Sequence, residues 1–397
     1  MSQGRCPSAL VTVLLRGPPS GERVKRAGAI VILICAGSSA ACTGNGGPSI
    51  GAARTSDSLF IGVAAVRGSV EYFRGVQLAL DRLNAERPAS ARPLALRMPP
   101  DSQPSQIAVA AGFRDDPAVV GVVGHTGSGQ TLEAAPIYAD VEQGGRRALV
   151  AVTPTATNPA VTRSGEWVFR VCPTDDDAAR ALARYAADSI GAKRVAIVYR
   201  NDFFGRGFTR VIGPELSRRG VGVVERDPYL AEVTEYAAYA QRIARRGVDA
   251  VVFAGSGPDA AEMIRALRAV GANPDVLGSD AVADIRDAGA PGEFRDVRFA
   301  AFFDAERATT AEQRTFVADY RRRFGGSPDH QSALSYDAAM LIGRATHAVG
   351  DDRAKVRDWV AQVGRGAPAH AGVTGVIRFD ENGDAINKVV LVGRATR

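Results

Sequence analysis

Residues Val119–Gln130 read VVGVVGHTGSGQ, with Thr131 next. Small and β-branched apolar residues give way to a Gly/Ser turn, which predicts a buried strand whose end opens a helix. The same kind of passage recurs at Val150–Pro159, VAVTPTATNP. Loops rich in hydroxyls and free backbone N–H groups suit a small anionic or zwitterionic ligand and require no catalytic residue.

Outward from this stretch the chain alternates strands and helices. LFIGVAAV from Leu59 precedes a helix carrying Phe73, Val76, Leu80 and Leu83 on one face, with Asn84 near its end. PLALRM, a short helix around Ile107–Phe113, the quoted strand, a helix over Leu132–Asp140 and the strand ALVAVT follow. This is the rhythm of a parallel sheet covered on both faces. After WVFRVC, Thr174 is placed to cap a helix bearing Ala178, Leu182, Tyr185 and Ala186. A second series then runs through RVAIVYR, Phe208–Arg219, VGVVERD, Tyr236–Arg246, DAVVFAG, Ala260–Val270 and DVLGSD. Two such series predict an α/β fold of two doubly wound parallel-sheet lobes, with a ligand cleft where their strand ends meet.

The remainder, Phe299–Arg397, is too short for a third α/β domain. Its strand-like VRFAAFF precedes helices over Ala311–Arg323, Gln331–Val349 and Ala354–Val363. The final GVIRFDENGDAINKVVLVG has the alternation and Asn-Gly turn of a hairpin. The expected organisation is therefore 58–171 plus 299–370 in lobe 1 and 172–298 plus 371–397 in lobe 2. The chain then crosses three times between lobes, and this three-strand hinge favours closure about a fixed axis.

With 397 residues, the chain exceeds the usual size of a single hydrophobic core. The net charge of +6 does not signal nucleic acid, because Arg5, Arg16, Arg23, Lys25 and Arg26 stand against only Glu22 in the first 42 residues. Within that segment VKRAGAIVILICAGSSAAC has the basic patch, short apolar run and small residues of an export leader. Ser39-Ala40-Ala41-Cys42 resembles a lipoprotein processing site. It predicts lipidation at Cys42, a tether over 43–57 and an extracytoplasmic, lipid-anchored protein, although Ser39 departs from the large aliphatic residue such sites favour. Simple cleavage near Ala41 and a retained anchor are the alternatives.

The candidate chemistry is recognition. Gly124–Thr131 is one residue from a phosphate-binding loop, but Gln130 stands where a lysine is required to reach the phosphates. Ser128 instead offers a hydroxyl beside the amides of a helix start. In TPTATN, Pro154 stiffens a loop from which Thr155 and Thr157 present hydroxyls or backbone groups, unless Thr157 and Asn158 only stabilise the turn. Phe253–Gly257, with Ser256, and Gly278-Ser279-Asp280 lie at strand ends of the second lobe. Asp280 is the acid assigned to a ligand ammonium, with a solvated turn as the alternative. Phe203 or Phe204 borders the cleft or packs in the core. Histidines 125, 330, 347 and 370 lack metal-ligand spacing, no nucleophile elbow occurs, and no cofactor is expected.

At these loops the sequence resembles the branched-chain amino-acid-binding proteins of bacterial ABC importers, of the type I periplasmic-binding fold. GSVEYFRGVQLALDRLNA, VVGVVGHTGSGQTLEAAPIYAD, VTPTATNP, VFRVCPTDDDAARALARYAAD, RVAIVYRNDFFGRG, DAVVFAGSGPDAAEMIRALRAVG and SALSYDAAMLIGRAT carry the likeness in order. The resemblance implies a carboxylate-binding serine at Ser128, a second binding loop at Thr155, Ala156 and Thr157, and an ammonium-binding acid near Asp280. It also implies a permease as partner; the protein itself is expected to be a monomer.

The chain departs from the family pattern at three places. An aromatic residue of the second lobe corresponds to Ser256 or Gly257, a bulky residue of the first to Gly68, and a cysteine of some relatives to Gly127. Lost bulk implies a larger pocket, so the ligand stays open among amino acids, amides and carboxylates. A ligand-sensing ectodomain, an exported hydrolase and a purely structural lipoprotein are the alternatives to transport.

Overall fold

The computed structural model describes residues 58–65, 70–99, 105–231 and 235–395. The expected leader, Cys42, the tether and Gly68 lie outside them.

Strands β1 (Leu59–Ala64), β2 (Leu94–Arg97), β3 (Val119–Gly124), β4 (Ala151–Thr153) and β5 (Val168–Arg170) form a five-stranded parallel sheet in the order β2-β1-β3-β4-β5. Every residue of β3 is buried, as an apolar strand flanked by helices on both faces requires. Helices α1 (Val70–Ala85), α2 (Gln106–Asp115) and α3 (Ser128–Tyr138) connect these strands. After β5 the chain enters α4 (Asp175–Arg184), which continues as a π-helical turn over Tyr185–Ile190. As expected, Thr174 caps α4, and the Asp177 carboxylate returns the bond to the Thr174 backbone.

The second sheet contains β6 (Arg194–Arg200), β7 (Gly222–Tyr229), β8 (Ala250–Ala254), β9 (Asp275–Gly278), β10 (Arg298–Ala301) and, far along the chain, β13 (Leu391–Arg394). Its order is β13-β10-β9-β8-β6-β7. Only β13 runs antiparallel to its neighbour. Helices α5 (Phe203–Arg218), α6 (Ala237–Arg246) and α7 (Gly257–Ala269) join these strands, and a 3₁₀ segment over Asp280–Asp287 follows β9. Apart from β13, the winding repeats that of the first sheet. Strand order reverses at β1/β3 in one and at β6/β8 in the other, and such reversals open a crevice at the strand carboxyl ends.

Three expectations are corrected. The boundary at residue 299 falls inside β10, which pairs with β9 and β13, so the return to the first lobe comes after this strand. Helices α8 (Ala311–Phe324), α9 (His330–Val349) and α10 (Arg353–Ala361) follow. The terminal segment does not fold as one hairpin. Its strand β12 (Gly375–Ile377) pairs with β11 (His370–Gly372), whereas β13 pairs with β10. The Asn382-Gly383 turn does form, with Gly383 at φ 88° and one bridge between Phe379 and Ala385, but its arms leave for different partners. Finally, α3 begins at Ser128 and not at Leu132: Ser128, Gly129 and Gln130 are already helical, with Gly127 as the N-cap.

The cores explain this arrangement. Along α9, Leu334, Met340, Leu341 and Ile342 are essentially inaccessible, each contributing roughly 1.5–3 kcal/mol by burial. Close packing of α1 on α9 depends on Gly75, where a Cβ would overlap the Ser332 carbonyl oxygen. The crossings are pinned by polar contacts. Arg170, fully buried at the end of β5, donates to the carbonyls of Ala156 (3.1 Å) and Asn158 (2.6 Å) and pairs with Asp384 of the last crossing. Backbone bonds Arg170 N to Gly383 O (2.9 Å) and Ala385 N to Arg170 O (3.1 Å) join the same two crossings. Cys172, beside them, is a buried free thiol whose pKa burial pushes up.

Candidate functional site

The two sheets face each other across a cavity of about 500 Å³. The carboxyl end of β3 supplies Gly127 and Ser128, that of β4 supplies Thr155, that of β6 supplies Asp202, Phe203 and Phe204, and that of β9 supplies Asp280. Tyr72 from α1 and His330 and Gln331 from α9 complete the inner wall, while Gln130, Glu133, Arg200 and Arg206 also border the cavity. Both switch points thus open onto one space. Beside it, the Asn158 amide nitrogen donates to the Phe203 carbonyl at 3.2 Å, a direct bond between the lobes.

Helix starts distinguish one side of the cavity. Asp202 caps α5 through Gly205 N at 2.8 Å, and Asp329 caps α9 through Ser332 N at 2.9 Å. At α3 the N-cap is Gly127, which has no side chain to offer, so no side-chain cap occupies the first-turn amides. Ser128 is buried there. Its Oγ accepts from Asn158 N at 3.2 Å, which leaves its own proton to donate. Thr155 Oγ1 donates to Thr126 O (2.8 Å) and accepts from the Tyr72 hydroxyl (2.9 Å), so this threonine mainly fixes its loop.

The other side carries a buried acid. Asp280 is 5% exposed, and Oδ1 has no hydrogen-bond partner. Burial, reinforced by the neighbouring Asp175 carboxylate, raises its pKa to about 8. Burial likewise holds the His330 imidazole neutral by lowering its pKa to about 4.

Of the residues singled out from sequence, Gly127, Ser128, Thr155, Phe203 and Asp280 border the one cavity. Ala156 and Thr157 lie behind it: the Ala156 carbonyl is held by Arg170, and Thr157 O accepts from Asp175 N at 2.9 Å. Ser256 is a correction. It caps α7 by accepting from Asp259 N and donates to Asp259 Oδ2 at 2.7 Å, in a cluster with the Tyr229 and Tyr236 hydroxyls. A capping serine and a lining serine look alike in sequence. His125 supports the turn, with Nδ1 at 2.7 Å from Gln106 Oε1 and Nε2 at 2.8 Å from the Tyr138 hydroxyl.

Sequence reasoning missed Tyr72, whose place on the apolar face of α1 disguises its hydroxyl. A larger cavity of about 750 Å³ lies beyond His330, bordered by Arg286, Phe299, Phe303 and Asp329. Arg286 and Asp329 there already satisfy each other at 3.1 Å, and neither switch point opens onto it. Among the described residues no group of three His, Cys, Asp or Glu side chains is arranged for a metal ion, and no helix is long and apolar enough to cross a membrane.

Two like-wound α/β lobes with a polar cleft at their switch points define a two-lobed binding protein of the type I periplasmic class. A family model described as periplasmic binding protein matches residues 62–394. An amino acid binding protein of Pseudomonas aeruginosa is 26% identical over 321 residues, covering 79% of this chain and 82% of that protein. The Leu/Ile/Val/Thr-binding protein of Salmonella typhimurium is 27% identical over 238 residues, 58% of this chain and 64% of that protein. Among solved structures, a leucine-binding protein from Thermotoga maritima aligns with a TM-score of 0.74 at 26% identity, covering 85% of this chain and 95% of that one. The chain belongs to the periplasmic binding protein family.

Proposed function

We propose that this protein captures a small amino acid, or a related amide or carboxylate, outside the cytoplasm by closing its lobes, and presents the closed complex to the permease of an ABC importer. One observation carries the reading: an uncapped helix start and a buried, incompletely paired carboxylate meet across one cavity. The α-carboxylate takes the Ser128 hydroxyl and the first-turn amides of α3, where the helix dipole favours negative charge. The ammonium takes Asp280 and stabilises its ionised form. A ligand that touches both lobes stabilises the closed state over the open one, so closure is the output and no bond is made or broken. The names of the relatives, amino acid binding and leucine-binding, support the same ligand class. Acylation at Cys42 and a monomeric state belong to this reading; mass spectrometry of the N-terminal peptide and sedimentation of the exported protein test them.

The test is a thermal-shift panel of L-amino acids, their amides, desamino carboxylates and sugars on protein refolded to strip carried ligand. A ligand at 100 times its Kd adds about 2.7 kcal/mol by mass action. One or a few amino acids are expected to raise Tm. A response to sugars alone, or to none of the panel, refutes the reading.

A further inference from the structure

His330 begins α9 and stands between two cavities, bordering the cleft of about 500 Å³ on one side and the larger cavity on the other. It is 3% exposed. Its imidazole meets Phe302 at 5.4 Å and Phe299 at 6.5 Å between ring centroids, and Phe299 belongs to the wall of the larger cavity. Among the described residues, neither ring nitrogen has a hydrogen-bond partner. Buried polar groups are nearly always paired, so an orphaned imidazole at a cavity wall marks a place for a partner from outside the chain. The next residue, Gln331, borders the same cleft, and its side-chain amide is likewise without a partner among the described residues.

These two residues adjoin the acidic end of the cleft. Arg286, in the segment that Asp280 opens, pairs with Asp329 at 3.1 Å, and Asp329 immediately precedes His330. Tyr72 borders the cleft from α1, one turn before Gly75, where that helix packs on the Ser332 carbonyl. With the ligand carboxylate at Ser128 and its ammonium at Asp280, the start of α9 is the adjoining wall left to receive the side chain.

We propose that His330 and Gln331 form the side-chain subsite of the cleft and select an amino acid with an uncharged carboxamide side chain. This rests on the amino-acid reading above and names the ligand class within it. Burial keeps the imidazole neutral, with one donor and one acceptor, and the Gln331 amide also carries both. A ligand carboxamide matches them. An alkyl side chain leaves them unpaired in the closed cleft, and a carboxylate can meet only their donors. The cations bordering the cleft are already engaged, Arg200 with Asp202 at 3.3 Å and Arg206 with the Asn201 side chain at 3.0 Å. Phe204 and Ala281, also in the wall, suit the methylene stem.

The experiment is calorimetry of the refolded protein with L-glutamine, L-asparagine, L-methionine, L-leucine and L-glutamate, which keep the backbone groups constant and vary the side chain. Glutamine or asparagine is expected to bind at least roughly tenfold tighter than the other three, the scale of one or two polar groups left unpaired. His330→Phe, which keeps a ring beside Phe302, is expected to lower the ratio of glutamine to methionine affinity roughly tenfold or more, and Gln331→Leu to lower it in the same direction. Should His330→Phe fail to fold, Gln331→Leu and the wild-type series decide. Methionine, leucine or glutamate binding as tightly as the better amide overturns the subsite while leaving amino-acid capture intact. Equal losses for glutamine and methionine in His330→Phe overturn it too. Absence of binding by every amino acid overturns both readings.

Discussion

Gly207→Ala separates closure from folding. Gly207 lies inside α5, and a Cβ there would intrude on the Asn158 amide nitrogen from the opposite lobe. That amide has little freedom. Its nitrogen donates to Phe203 O at 3.2 Å, and its oxygen accepts from Ala160 N at 2.9 Å. Relieving the overlap by about 1 Å costs about 1–3 kcal/mol as overpacking, and losing the interlobe bond costs about 0.5–1.5 kcal/mol more. Parting the lobes avoids both. The closed state is then disfavoured by roughly 1.5–4.5 kcal/mol, or roughly 10- to 2,000-fold in affinity. Within the lobe, alanine in place of glycine adds about 1 kcal/mol of helix propensity. The ligand-free protein should therefore melt at or slightly above the wild-type temperature while binding is lost. Calorimetry with the tightest amino acid and small-angle scattering with and without it measure the two effects. Gly207→Ala binding within threefold of wild type at unchanged Tm would refute the interlobe argument.

Two further substitutions probe the site and the frame. Ser128→Ala removes both the proposed carboxylate donor and the acceptor of Asn158 N, and should weaken amino acids by about 1–3 kcal/mol in calorimetry. An unchanged affinity in a folded variant would remove Ser128 from the site. Gly75→Ala forces a methyl against the Ser332 carbonyl, which is backbone and cannot swing away. It should lower the ligand-free Tm by several degrees, an overpacking cost of about 1–3 kcal/mol; a wild-type melting curve would show that α1 and α9 are not rigidly seated.

Much of the frame was legible because local rules and the global fold agree. The apolar run at Val119–Val123, the capping pair Thr174 and Asp177, and the strand-end placement of Ser128 and Asp280 follow from patterns a few residues long. The β10 and β13 pairing was not legible, since it joins segments about ninety residues apart and depends on which sheet edge stands open. Ser256 failed for a related reason: its short-range bonds to Asp259 satisfy it locally, so it has no group left for the cleft.

By itself, the order of apolar runs and turns determined that two α/β lobes wind alike and that hydroxyl-bearing loops end their strands, because side-chain periodicity and turn chemistry act within a few residues. Only the tertiary structure decided which polar groups meet. Asp175, Asp176 and Asp177 are the same letter three times, and only packing beneath α5 strips water from the first. Desolvation and charge proximity depend on distance through space, and three consecutive letters carry no record of it.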